Sequence, residues 1–180
     1  MGTLADIVRQ GKALYVGLSN YSKQEAEKAV LLLKDMGVHC LIEQPRYNMF
    51  ERTPEDGLFK AMWEHGVGCI CYSPLAQGAL TDKYLNGIPQ GSRASRVGTT
   101  INDRYLSEEK LDQIRRLNEI AVSRNQSLAQ MALAWVLREK AVTSVLIGAS
   151  SVRQLENSVQ CLDNLEFSAD ELKAIDEILK

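Results

Sequence analysis

The sequence has no apolar run long enough for a bilayer-spanning helix, so no membrane partner is expected. It has no surplus of basic residues either. Across 180 residues the formal charge is −2, which leaves no electrostatic footprint for nucleic acid. The opening residues, Met1-Gly2-Thr3-Leu4-Ala5-Asp6, lack the basic and apolar regions of a signal peptide. Asp6 stands where N-myristoylation needs Ser or Thr. None of the four cysteines (Cys40, Cys69, Cys71, Cys161) belongs to a C-x-x-C pair. They read as reduced core thiols of a cytoplasmic protein rather than as metal ligands or a disulfide. No G-x-G-x-x-G follows a strand, since Gly66-Val67-Gly68 comes before one, and a Rossmann fingerprint is rejected. No low-complexity stretch or change of composition divides the chain. With 45% hydrophobic residues it can build one core, and residues 1–180 are expected to form a single domain.

What is present is a strand–loop–helix unit written four times. Residues 4–9 read as the end of a helix stopped by Gly11. An apolar strand over 13–18 follows. Ser22-Lys23-Gln24-Glu25 then has the form of a capping box, opening a helix striped by Ala26, Ala29, Val30 and Leu33. The second unit is a strand at 40–42, a loop at 43–48, and a helix started by Thr53-Pro54-Glu55-Asp56 and running through Leu58, Met62 and Trp63. The third strand is the uncharged run 67–71, ended by Tyr72-Ser73-Pro74. A long polar loop over 81–104 leads to a helix striped by Leu111, Ile114 and Leu117. A second capping-box pattern at Ser127-Leu128-Ala129-Gln130 opens the strongly apolar 131–137. The fourth strand is 143–147. Gly148-Ala149-Ser150-Ser151 then turns into a helix carrying Val152, Leu155, Val159 and Leu162 on one side, and a last helix begins at Ser168. Alternating β and α predicts a parallel sheet.

In parallel βα architectures ligands bind at the carboxyl ends of the strands, so the four strand-end loops form one candidate surface. Ser19, Asn20 and Gln44 offer uncharged donors and acceptors suited to a carboxamide. Tyr72 offers a flat ring, although a plain strand followed by a proline turn also accounts for Tyr72-Ser73-Pro74. Gly148-Ala149-Ser150 stands at a helix start, where free N–H groups favour an anion, and Arg153 in the first turn can clamp a phosphate. An amide-reading end, a stacking ring and a phosphate end together describe a nicotinamide dinucleotide.

Gly17-Leu18-Ser19-Asn20, Gln44-Pro45-Arg46-Tyr47-Asn48, Tyr72-Ser73-Pro74-Leu75-Ala76-Gln77-Gly78 and Ile147-Gly148-Ala149-Ser150, in this order, resemble the aldo/keto reductase superfamily. The resemblance covers nearly the whole chain. It implies an α/β fold of the (β/α)8 TIM-barrel type, of which this chain supplies about the last four βα units, a half-barrel, plus extra helices. It also implies NADP(H) as cofactor. On this reading Ser19, Asn20 and Gln44 hold the nicotinamide carboxamide, and Tyr72 stacks on the nicotinamide. Ser73, Pro74, Leu75, Ala76, Gly78, Lys83 and Arg93 surround the pyrophosphate. Gly148, Ser150 and Gln154 meet the 2′-phosphate. The pattern's Glu-Asn pair near the adenine corresponds here to Asn157-Ser158, a departure.

The family's catalytic Asp, Tyr, Lys and His find no match here and are expected upstream of Met1. His39 and His65 flank strand starts, the face opposite the ligand. Glu55, Asp56, Glu108 and Glu109 lie in first helical turns, where the dipole accounts for them. The expected activity of the complete protein is reversible reduction of a small aldehyde or ketone. This chain alone is expected to be inactive, and to pair with an N-terminal half or with itself. The alternative is an NADP(H)-sensing regulatory subunit of the kind represented by potassium channel β subunits.

Overall fold

The computed structural model describes residues 1–92, 94–96 and 98–180. Helix starts are fixed by local chemistry. At Ser22 the backbone N–H donates to Glu25 Oε2 (2.9 Å), and the Glu25 N–H donates back to the Ser22 hydroxyl. Ser127 with Gln130 and Ser168 with Glu171 repeat the arrangement. Each such cap satisfies two orphan donors and stabilises its helix by roughly 1 kcal/mol.

One compact unit comprises Met1–Tyr47, Glu51–Tyr72 and Glu139–Leu146. It holds a four-stranded, all-parallel sheet of β1 (Val16–Ser19), β2 (Cys40–Gln44), β3 (Gly68–Cys71) and β4 (Val142–Val145), in that spatial order. The helices α1 (Gly2–Arg9), α2 (Lys23–Asp35) and α3 (Leu58–Glu64) belong to the same unit. The α2 stripe Ala26, Ala29, Val30 and Leu33 is buried as its spacing predicts. A Cβ on Gly17 would lie 2.7 Å from the Ile42 side chain, so the missing side chain lets β1 and β2 pair closely.

Several boundaries differ from the sequence reading. The first strand begins at Val16 rather than at residue 13, and Leu14 and Tyr15 are 83% and 63% exposed, because pairing to β2 starts only at Val16–Cys40. β2 runs on through Gln44, which pairs in register with Ser19. Thr53–Glu55 makes only a 3-10 turn, and Gly57 (φ +102°) breaks the chain direction before α3 begins at Leu58. Leu58, Phe59, Ala61 and Met62 carry the buried face of α3, and Trp63 is exposed. β4 ends at Val145, not 147.

The second compact unit, Asn48–Phe50, Ser73–Arg138 and Ile147–Lys180, contains helices. They are α4 (Ile101–Tyr105), α5 (Glu108–Ser123), α6 (Leu128–Leu137), α7 (Val152–Val159) and α8 (Ala169–Ile178). α6 is its centre, buried at Leu128 and from Gln130 through Val136, and both α5 and α7 pack on it. α5 turns Ile114, Leu117 and Ala121 inward. α7 has no buried residue, and its apolar side, with Val152, Leu155 and Val159, faces solvent. Among the described residues no helix is long and apolar enough to cross a membrane.

Candidate functional site

Because the strands are parallel, their carboxyl ends lie along one edge of the sheet. At that edge β1 and β2 join through one carbonyl. The Gln44 oxygen accepts from the Ser19 hydroxyl (2.9 Å) and from the Asn20 N–H (3.3 Å). Asn20 adopts φ +59°, the left-handed region that asparagine tolerates best after glycine. Ser19, Asn20 and Gln44 are thus brought together, with Asn20 exposed beside a recess of about 400 Å³ that Lys23, Arg46 and Asp56 also line.

Beneath this edge sits Glu43, fully buried. One oxygen accepts from the Tyr21 N–H (3.3 Å), and the other has no hydrogen-bond partner among the described residues. Burial pushes its carboxyl above the ordinary range, against the opposing pull of the Tyr21 and Asn20 N–H groups. A carboxyl raised on folding contributes its full stability below the ordinary carboxylate range, and loses it as pH climbs through the folded value. Glu43→Gln is therefore expected to be more stable than the wild type by on the order of 1–2 kcal/mol at pH 8. The advantage fades as pH falls through the raised folded value and is gone below the ordinary glutamate pKa of about 4.3, where the carboxyl is protonated in either state. Urea melts at both pH values check this, and a difference independent of pH counts against it.

Tyr72 continues β3 by one residue. Its N–H donates to the Pro45 carbonyl (3.1 Å), and its own carbonyl accepts from the Tyr47 N–H (3.3 Å). The phenol oxygen accepts from Arg46 Nε (3.2 Å), with the guanidinium carbon 5.2 Å from the ring centre. Arg46 also reaches Glu51 (3.5 Å). No sequence pattern gives Arg46 this role. It stands inside a recognisable motif, but no local signal pairs it with a ring 26 positions away. Glu55 likewise does more than sit in a first turn: it accepts from the Tyr47 phenol (2.5 Å) and pairs with Arg52 (2.7 Å).

In the second unit, Ser73, Ala76 and Gln77 all have positive φ (54°, 47° and 59°). Such backbone costs about 1 kcal/mol or more per non-glycine residue, and it concentrates where ligands are held. Buried Asn48 keeps the bend in place by donating to the Ser73 carbonyl (3.0 Å), another long-range contact that the sequence did not disclose. Pro74 and Ala76 are buried, Leu75 and Gly78 partly so, and Lys83 is exposed. Arg93 lies outside the described residues. At the start of α7 the Ser150 N–H and hydroxyl both donate to Gln154 Oε1 (2.8 and 2.9 Å), and Ser151 caps the helix. Gly148, Ser150 and Arg153 are exposed. Asn157 accepts from Ser127 (3.2 Å), and the Ser158 hydroxyl donates to the Gln154 carbonyl (2.9 Å).

Burial pushes the Cys69 and Cys71 thiols up to about 12, with a smaller push on Cys69 from the Glu43 charge, and raises Cys40 and Cys161 as well. Thiols held this firmly protonated are neither nucleophiles nor ready ligands. His39 and His65 are exposed and precede β2 and β3, at the end of the sheet away from the paired amides.

The chain is similar to known proteins over nearly its whole length. It is 51% identical over 178 residues to L-glyceraldehyde 3-phosphate reductase of Escherichia coli, covering 97% of this chain and 51% of that protein. It is 35% identical over 179 residues to a putative voltage-gated potassium channel subunit beta of Schizosaccharomyces pombe, covering 96% and 52%. A glycerol dehydrogenase structure from Gluconobacter oxydans superposes with a TM-score of 0.76 at 25% identity, over 98% of this chain and 52% of that one. The chain thus spans about half the length of the curated relatives it matches. Its four parallel βα units are those of a partial (β/α)8 barrel. The sequence model of the aldo/keto reductase family matches residues 1–180, and with the strand-end motifs in place on a parallel sheet, the chain belongs to that family.

Proposed function

We propose that this chain is the cofactor-gripping portion of an NADP(H)-dependent carbonyl reductase, acting as one domain and contributing the last four βα units of its barrel. The observation that carries this is the cluster of Ser19, Asn20 and Gln44 on two paired strand ends, with Tyr72 at the end of the next strand. Uncharged donors and acceptors suit a carboxamide, and a half-buried ring suits the flat pyridine that carries it. Gly148, Ser150, Arg153 and Gln154 take the 2′-phosphate. Ser73, Pro74, Leu75, Ala76, Gly78, Lys83 and Arg93 take the pyrophosphate, and Asn157 and Ser158 take the adenine end. The residues present fit such a ligand. Ser19, Asn20 and Ser150 are exposed, and a Cβ added at Gly78 or Gly148 would meet nothing within 4 Å.

When bound, the nicotinamide supplies hydride chemistry. This chain's own residues bind and orient it. Reduction also needs a proton delivered to the carbonyl oxygen, the role of a positioned general acid. Both histidines precede strands, which supports a division in which, among the described residues, this chain's ligand-facing ends supply no histidine to the reaction. The Asp, Tyr, Lys and His of the reaction, and most of the pocket for a small aldehyde or ketone, come from a complementary set of βα units. A second reading, a nucleotide-sensing regulatory subunit, draws on the similarity to the putative channel subunit.

Calorimetric titration of the chain with NADPH and NADH tests the cofactor assignment. NADPH is expected to bind at least about tenfold tighter, the worth of one charge-assisted contact to the extra phosphate. Indifference to both nucleotides overturns the assignment. Cofactor-dependent reduction of a carbonyl by the purified chain overturns the division of labour.

A further inference from the structure

Tyr72 is held at both ends. Its backbone is fixed between Pro45 and Tyr47, and its phenol oxygen accepts from Arg46 Nε at 3.2 Å. Arg46 is itself held by Glu51 at 3.5 Å, and the two side chains are only 30% and 23% exposed. A tyrosine ring fixed only at Cα swings about two side-chain torsions, and a stacking partner has to arrest that motion on binding. A partner already bonded to the far end of the ring has arrested it beforehand. The planar guanidinium is suited to this, because its donors are rigidly disposed and it lies favourably beside an aromatic ring.

We infer that Arg46 is a positioning residue for the nicotinamide end of the site, fixing the plane of Tyr72, and that Glu51 fixes Arg46 in turn. The inference rests on the NADP(H) reading above. It goes beyond that reading in naming two residues outside its cofactor-holding set that fix the ring and so set the affinity.

Arg46→Met removes the contact at similar length. Calorimetry is run with NADPH and with 2′,5′-ADP, which keeps the adenosine and 2′-phosphate but has no nicotinamide. Arg46→Met is expected to weaken NADPH about five- to tenfold, in line with the worth of one ordinary hydrogen bond, and to leave 2′,5′-ADP unchanged. In a Tyr72→Phe background, which already lacks the phenol oxygen, the same change is expected to have less than half that effect on a logarithmic scale. Arg46→Lys restores part of the affinity. Glu51→Gln, which leaves Arg46 and Tyr72 intact, is expected to give a smaller loss confined to NADPH, and it carries the test if Arg46→Met does not fold. Equal losses for both ligands, or full additivity with Tyr72→Phe, overturn the inference and leave the cofactor reading standing. A wild-type chain that binds neither ligand overturns both.

Discussion

Replacing Arg124 with alanine is expected to lower the stability of the chain by about 2–3 kcal/mol, the range for losing hydrogen bonds to a charged group when one partner, Glu171, is still 28% exposed to water. Arg124 closes α5, and its side chain is only 3% exposed. Its guanidinium donates to Glu171 Oε1 (2.8 Å), Gln126 Oε1 (2.9 Å) and the Asn164 carbonyl (3.3 Å), and lies 3.8 Å over the Phe167 ring. Truncation takes a donor from the Glu171 carboxylate and from the Gln126 side-chain oxygen, leaves the Asn164 carbonyl with Gln126 Nε2 alone, and uncovers the Phe167 ring. Most domains have only about 5–15 kcal/mol in all, so the loss is a large share. Burial tends to raise Glu171, but the Ser168 N–H and Arg124 outweigh it and hold the carboxyl below its ordinary range. A depressed carboxyl contributes stability above its unfolded pKa and loses it as pH falls through the folded value. The gap between wild type and Arg124→Ala is therefore expected to narrow in acid. Arg124→Lys keeps the charge but not the fork, and is expected to fall between the two. Urea melts across pH decide it, and a loss below about 1 kcal/mol at neutral pH, the size of a single ordinary hydrogen bond, contradicts this account.

The second large effect concerns association. Val152, Leu155, Val159 and Leu162 are 71%, 47%, 53% and 58% exposed and fall on one side of the α7 segment. Its opposite side is fixed to α6 through Ser127–Asn157 and Gln130–Gln160. An exposed apolar side of this extent is ordinarily buried against another molecule, and a second copy of this chain offers the same side to it. The purified chain is accordingly expected to self-associate, with Leu155→Lys/Val159→Lys weakening the dimer by roughly 10²-fold or more, given about 1.5–3 kcal/mol for burying each side chain. Sedimentation velocity over a concentration series measures it. A wild type that stays monomeric throughout, or a double variant that associates as well as the wild type, rejects the proposed contact.

How far these features were legible depended on the distance over which each interaction acts. The capping boxes at Ser22 and Ser127 involve partners three residues apart and could be read from the sequence, as could the inward stripe of α2. The order of strands was legible because alternating β and α admits few topologies. Gly57 did not announce that it would break a helix two residues after Thr53-Pro54-Glu55, because glycine tolerates a helix start as readily as a left-handed turn. Arg46 with Tyr72, Asn48 with Ser73, and Arg124 with Glu171 join residues 26, 25 and 47 positions apart. Nothing in either partner's neighbourhood marks such a pair. Glu43 was hidden for another reason. In a strand ending Glu43-Gln44 at a sheet edge, a charged residue is ordinarily read as solvated, and its burial becomes visible only once the loop carrying Tyr21 folds over it.

The paired sulfurs in the middle of the sheet have a practical consequence. Cys69 and Cys71 lie on the interior strand β3, and with their thiols pushed up to about 12 they are almost wholly in the unreactive form at neutral pH. Alkylating reagents will find them only when β3 pulls away from its neighbours. The speed of modification then counts how often the native sheet opens, so the chain carries its own clock for breathing motions.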